Sequence, residues 1–131
     1  MSYTLYFDGC SKGNPGKGGS GSVIYDNNIE IWYKASFVGD KVTNNHAEYN
    51  GLIEGLEEAV KRGITCLTVK GDSMLVIKQM RGEYKVSSPN IKPLYNKAKR
   101  LTEQIKTIEF YHVYRNDNTR ADALSNQGLQ P

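Results

Sequence analysis

The chain opens on an alternation of bulky and polar positions. Tyr3-Thr4-Leu5-Tyr6-Phe7 has the period of two expected of a strand, and it ends by delivering a carboxylate, Asp8. Ser20 to Tyr25 and Ile29 to Phe37 are again strand-like and are joined by the turn residues Asp26-Asn27-Asn28. They predict an antiparallel hairpin extended back to the first strand. From Asn44 the period becomes helical: Tyr49, Leu52, Ile53, Leu56 and Val60 form one apolar stripe, stopped by Arg62-Gly63. Ile64 to Val69 is a short run of the buried-strand type. Ser73 to Met80, before Gly82, and Ile91 to Ile105 predict two further helices. A last strand is expected over Thr107 to Tyr114, and a short helix from Asn118.

The order β-β-β-α-β-α-α-β-α places the chain in the α/β class. A helix between the third and fourth strands makes a crossover, so the five strands form a mixed sheet, the first three antiparallel, with helices on both faces. No repeat, low-complexity segment or domain boundary interrupts residues 1–131, and one domain of this length buries a real core.

Composition removes some classes of function. With 38% hydrophobic and 24% charged residues the balance is that of a soluble protein. No apolar run approaches the roughly 20 residues of a spanning helix, and no signal-peptide pattern opens the chain. Cys10 and Cys66 lack metal-ligand spacing and are too few for a disulfide framework, so a reducing, cytoplasmic setting is expected. The net charge of +3 permits a polyanionic partner without demanding one.

An ionised carboxylate near a core is costly unless loop amides or a cation satisfy it, which makes Asp8 the position to explain. Asp72 follows Lys70-Gly71 at the end of the fourth strand, and Glu48 lies in the first turns of the long helix. If strands one and four are parallel neighbours, their carboxyl ends open onto one crevice, where α/β sheets hold ligands. Asp122, in the first turn of the last helix, can reach the same rim. Four converging carboxylates repel unless divalent cations lie between them, and such hard oxygen donors suit Mg²⁺ or Mn²⁺. Each residue also has a structural reading. Asp72 can be an N-cap, Asn45-His46-Ala47-Glu48 a capping box, Asp122 a helix-dipole partner and Asp8 a turn residue.

The stretches Tyr6-Phe7-Asp8-Gly9-Cys10-Ser11-Lys12-Gly13-Asn14-Pro15-Gly16, Thr43-Asn44-Asn45-His46-Ala47-Glu48-Tyr49, Gly71-Asp72-Ser73 and Arg115 to Leu124, with Asn118, Ala121 and Asp122, resemble type 1 ribonuclease H. They keep that family's order and spacing over nearly the whole chain. The resemblance implies a single catalytic domain of ribonuclease H-like fold that hydrolyses the RNA strand of RNA·DNA hybrids to 5′-phosphate and 3′-hydroxyl products. It implies Asp8, Glu48, Asp72 and Asp122 as catalytic metal ligands for two Mg²⁺ ions, with Mn²⁺ as a substitute, one ion activating water and the other stabilising the leaving 3′-oxygen. It further implies that Gly9 and Cys10 bind nucleic acid and that Asn14, with the backbone of its loop, contacts the RNA strand's 2′-hydroxyls, which distinguish it from DNA. Asn44 and Asn45 would touch bases in the minor groove, and Thr43, supported by Lys41, a DNA-strand phosphate. The glycines of Gly13-Asn14-Pro15-Gly16 and Gly18-Gly19 would let the backbone approach the sugar–phosphate chain. A monomer with no membrane or protein partner is expected. The alternatives are a same-fold nuclease for RNA duplexes or RNA–DNA junctions, and a non-catalytic hybrid-binding module.

Two departures qualify the resemblance. Arg81 to Pro89 is too short for the basic helix and loop that many members use as a hybrid handle, so binding is expected to be weaker or more salt-sensitive. Many members also carry a histidine in a glycine-rich loop before the last aspartate, and this chain has none there. His112 is expected to be a packed sheet residue and His46 a variable position, so catalysis without an essential histidine is expected. Asn90 matches a substrate-pocket position only loosely, and Trp32 and the tyrosines are expected to be core or half-buried.

Overall fold

The computed structural model describes residues 2–130. Strands β1 (Tyr3–Lys12), β2 (Gly16–Asp26) and β3 (Ile29–Val42) form an antiparallel meander. Helix α1 (Asn44–Lys61) crosses from it to β4 (Cys66–Gly71). Then come α2 (Met74–Met80), α3 (Lys92–Thr102), β5 (Thr107–His112), a 3₁₀ turn over Arg115–Asp117 and α4 (Thr119–Gln127). The sheet order is β3-β2-β1-β4-β5, with β1–β4 and β4–β5 parallel, so the mixed sheet is the expected one.

Side-chain alternation assigns the two faces. Leu5 fills the space over Gly55 of α1, and Ser22 donates to the carbonyl of Gly51 on the same helix. On the opposite face Gly19 and Gly21 lie directly beneath α4, where a Cβ would collide with the carbonyls of Ser125 and Ala121. Helices therefore cover both faces. The predicted α1 stripe is the one that packs: Tyr49, Leu52 and Leu56 are fully buried with Leu5, Phe7 and Ile24, and the core continues through Leu67 and Val69 to Val76 and Ile77. Burial of each such side chain contributes about 1.5–3 kcal/mol.

Several boundaries differ from expectation. Strand β1 does not end at Asp8 but runs to Lys12, β2 already begins at Gly16, and β3 continues past Phe37 to Val42. Gly16, Gly18 and Gly19 join the ladder, with register shifts between them. Gly18 and Gly19 are thus packing residues, under Val42 and α4 respectively, and not a loop approaching a ligand. Strand β4 lies two residues later than expected because Lys70 and Gly71 pair with Tyr6 and Phe7. Helix α3 stops at Thr102, whose hydroxyl turns back to donate to the Lys99 carbonyl at 2.6 Å. Among the described residues no helix is long and apolar enough to cross a membrane.

Candidate metal and nucleic-acid site

Parallel pairing of β1 with β4 sets Phe7 beside Gly71, so Asp8, within β1, comes level with Asp72, just beyond the end of β4. Gly9 then lets α1 lie directly on β1: a Cβ there would collide with the backbone of Ala47 and Glu48. That contact brings the Glu48 carboxylate to Asp8. From the other face, Asn118 donates its side-chain amide to the Phe7 carbonyl at 3.0 Å, anchoring the start of α4 and with it Asp122. Carboxylate oxygens of Asp8, Glu48 and Asp72 lie within 4.8 Å of one another. Asp122 stands outside that trio but lines the same cleft of about 480 Å³. Its Oδ1 is 3.8 Å from the exposed guanidinium of Arg115, a contact worth at most about 1 kcal/mol at such exposure.

Burial and the mutual repulsion of the carboxylates dominate the electrostatics here. Asp8 is 5% and Glu48 6% exposed. Burial pushes the Asp8 carboxyl up to about 6, with the neighbouring Asp72 charge adding to the rise, and burial beside Asp8 holds Glu48 well above its ordinary value. Glu48 Oε1 is buried without a hydrogen-bond partner, a condition that costs about 1–3 kcal/mol when nothing fills it. An all-oxygen set with a buried, unpartnered carboxylate oxygen fits a hard divalent cation.

The structural readings of these residues mostly fail. Ser73, not Asp72, caps α2, accepting from the Val76 amide at 3.2 Å. Thr43 caps α1, accepting from the His46 amide at 3.1 Å, and Glu48 lies beyond the first turn and closes no capping box. Asp8 sits within a strand and not in a turn, although it does accept from the Gly9 amide at 2.9 Å. Asp122 does occupy the first turn of α4.

Of the other candidate residues, Gly9, Cys10, Asn44 and Asn45 line the carboxylate cleft. Cys10 Sγ also donates to the Ser125 carbonyl at 3.5 Å. Asn14, Lys41 and Thr43 are exposed beside the cleft, not in its lining, and Asn14 Oδ1 accepts from the Asn44 amide at 2.9 Å. The cleft also holds residues that the sequence did not single out: Ser73, His112, Tyr114 and Arg115. His112 is not the packed sheet residue expected. It is the last residue of β5, half-buried on the cleft wall, with its ring edge-on to that of Tyr114 at 5.4 Å. The signal was there in principle, because β5 is parallel to β4 and ends on the same rim. His46 and Asn90 are not in the cleft lining. No helix lies between α2 and α3, in keeping with the missing handle.

An α/β domain with an acidic cluster at the rim of its parallel strands falls in the class of ribonuclease H-like folds. A family model described as "Reverse transcriptase-like" matches residues 6–128. The bifunctional protein Rv2228c of Mycobacterium tuberculosis is 41% identical over an alignment of 131 positions that covers 98% of this chain and 36% of that protein. This chain therefore spans about a third of that relative's length. The N-terminal RNase H domain of Rv2228c, solved as a fusion with maltose-binding protein, superposes with a TM-score of 0.94 at 40% identity, covering 98% of this chain and 94% of that one. Ribonuclease H of Pseudomonas syringae pv. syringae is 31% identical over 142 residues, covering 98% of this chain and 92% of that protein. LC11-RNase H1, solved in complex with an RNA/DNA hybrid, gives a TM-score of 0.91 at 33% identity, covering 98% of this chain and 96% of that one. The chain belongs to the type 1 ribonuclease H family.

Proposed function

We propose that residues 1–131 form a single catalytic domain, an endoribonuclease that hydrolyses the RNA strand of RNA·DNA hybrids to 5′-phosphate and 3′-hydroxyl ends. The observation that carries this reading is the carboxylate cluster around the unpartnered Glu48 oxygen, set beside Asn44 and Asn45 in one cleft. The hybrid found on LC11-RNase H1 supports the choice of substrate.

Asp8, Glu48, Asp72 and Asp122 would hold two divalent cations, Mg²⁺ with Mn²⁺ as a substitute. When bound, these ions supply an activated water and neutralise charge at the leaving 3′-oxygen. The protein's own part is placement. Asp8 is fixed by a central strand, Glu48 by the α1–β1 contact and Asp122 by the Asn118 anchor, so Asp8, Glu48 and Asp72 converge within 4.8 Å and Asp122 is held on the wall of the same cleft. Gly9 and Cys10 face the RNA strand together with the turn that carries Asn14. Asn44 and Asn45 face the minor groove, and Thr43 with Lys41 a phosphate of the DNA strand. The protein acts as a cytoplasmic monomer.

The test is cleavage of labelled RNA·DNA hybrid, RNA duplex, RNA–DNA junction and DNA duplex in Mg²⁺, Mn²⁺ or EDTA. Metal-dependent cutting of only the hybrid's RNA strand, lost in Asp8→Asn, is the expected result. Tight hybrid binding without cleavage in either metal would make it a binding module, and preference for RNA duplex or junction a different nuclease of the same fold.

A further inference from the structure

Tyr114 is 76% exposed, more than any other large apolar or aromatic side chain among the described residues, yet it lines the carboxylate cleft. A single exposed aromatic is ordinary on a protein surface, but this one is held in a fixed place. The Val113 amide donates to the Gly71 carbonyl at 2.9 Å, and the Tyr114 carbonyl accepts from the Asp117 amide at 2.8 Å. Because His112 is level with Gly71 in the parallel β4–β5 pair, the residues that follow it run alongside Asp72. The Tyr114 ring meets the His112 ring edge-on, with 5.4 Å between centroids and 83° between planes, an arrangement that aromatic pairs prefer. Backbone and neighbour thus fix the ring while most of its surface stays in water. Surface left so exposed forgoes the stabilisation that burial of an aromatic side chain supplies, and here it does so on a cleft wall.

We propose that Tyr114 is a substrate-binding residue: its ring, propped by His112, packs against a ribose of the strand being cut, beside Asp72. This role rests on the hybrid-cleaving function argued above. The bases of a duplex are stacked and paired, so their faces are closed to a side chain. An A-like minor groove, by contrast, is wide and shallow and displays its sugars. The carbon atoms of a ribose give the ring an apolar surface to cover. The contact supplies affinity without charge, in a chain whose α2–α3 segment carries no basic handle, and so it does not fade as salt rises.

The test is fluorescence anisotropy of a fluorescein-labelled RNA·DNA hybrid across a salt series, on the Asp8→Asn background, which is expected to bind without cutting. Tyr114 is exposed, so its replacement leaves the fold intact. Tyr114→Ala should weaken binding about tenfold at every salt concentration, the scale of removing an aromatic that packs on nucleic acid. The slope of log affinity against log salt should not change. Tyr114→Phe should keep affinity within about twofold, since the ring and not the hydroxyl makes the contact. His112→Ala should cost about threefold beside Tyr114 and nothing in the Tyr114→Ala background. Unchanged affinity in Tyr114→Ala overturns the proposal. So does an equal loss in Tyr114→Phe, or a slope lowered by about 0.9, the mark of a lost phosphate contact. Equal losses from His112→Ala in both backgrounds overturn the propping role. In the chain with Asp8 intact, Tyr114→Ala should raise KM about tenfold and leave kcat within about twofold, as loss of uniform binding does. A chain that binds hybrid through Tyr114 but cuts none in Mg²⁺ or Mn²⁺ keeps this contact and removes the hydrolysis. A chain that binds no hybrid removes both.

Discussion

The side-chain amide of Asn118 donates to the Phe7 carbonyl across 3.0 Å, joining the start of α4 to β1 at the residue before Asp8. Asn118 is 2% exposed and the bond spans 111 positions of chain. Asp8 and Asp122, from opposite ends of the sequence, are thereby held on the same cleft. Asn118→Ala removes this buried bond, so chemical denaturation should show a loss of about 0.5–1.5 kcal/mol. Asp122 also loses its anchor, so kcat should fall more than tenfold under conditions where the variant is fully folded. A variant of unchanged kcat would show that α4 is placed by its packing on Gly19 and Gly21 alone.

Gly9 carries a similar dual load. The backbone of Ala47 and Glu48 occupies the place of its missing Cβ, so Gly9→Ala must push α1 away from β1. We expect a loss of about 1–3 kcal/mol from this overpacking, accompanied by reduced metal affinity because Glu48 retreats from Asp8. Calorimetric titration with Mg²⁺ separates the two effects. Wild-type affinity in a destabilised variant would mean that the helix slides without moving its carboxylate.

Parts of this arrangement were legible in the chain, and the limits have physical causes. Helix α1 was readable because its apolar face packs on a sheet, which imposes the period on Tyr49, Leu52, Ile53 and Leu56. The glycine segment was not, because Gly18 and Gly19 are required by groups far along the sequence, the Val42 side chain and the backbone of α4 and the residues just after it, and no local pattern encodes that contact. His112 was misplaced for a related reason: alternation gives the face of a strand residue but not whether its strand ends at the functional rim. The four carboxylates were singled out through their combined motif, and the structure gathers Asp8, Glu48 and Asp72 within 4.8 Å. Spacing alone left capping explanations open, and these were removed only when Ser73 and Thr43 proved to be the caps.

The carboxyl of Asp8 makes stability depend on pH in a direction opposite to that of most acidic residues. Its folded-state value of about 6 lies above the ordinary 3.8. A raised acid contributes stability in full below its unfolded value, and that contribution is lost as pH rises through the folded one. The rise from 3.8 to about 6 corresponds to about 3 kcal/mol, and the raised Glu48 acts in the same direction. In EDTA, Asp8→Asn should therefore be more stable than wild type at about pH 7, with the gap closing toward about pH 4. Urea midpoints across that range check it. Added Mg²⁺ should stabilise wild type by mass action and Asp8→Asn far less. An Asp8→Asn protein that is less stable at neutral pH would identify Asp8 as a structural hydrogen-bonding residue.

The missing handle leaves phosphate contacts to single side chains, which makes their number measurable. Each neutralised phosphate contributes about 0.9 to the slope of log affinity against log salt. Lys41 is exposed at the end of β3, one residue before its last, Val42, and close to the α1 start. Lys61, by contrast, ends α1, 17 residues beyond Asn44, or about 25 Å along the axis. Hybrid binding can be followed by fluorescence anisotropy in Asp8→Asn, which is expected to bind without cutting. On that background Lys41→Ala should lower the slope by about one and weaken all hybrid sequences alike, while Lys61→Ala leaves both unchanged. A slope indifferent to Lys41 would remove it from the DNA-strand phosphate and leave Thr43 to hold that group through its own hydroxyl and the exposed start of α1.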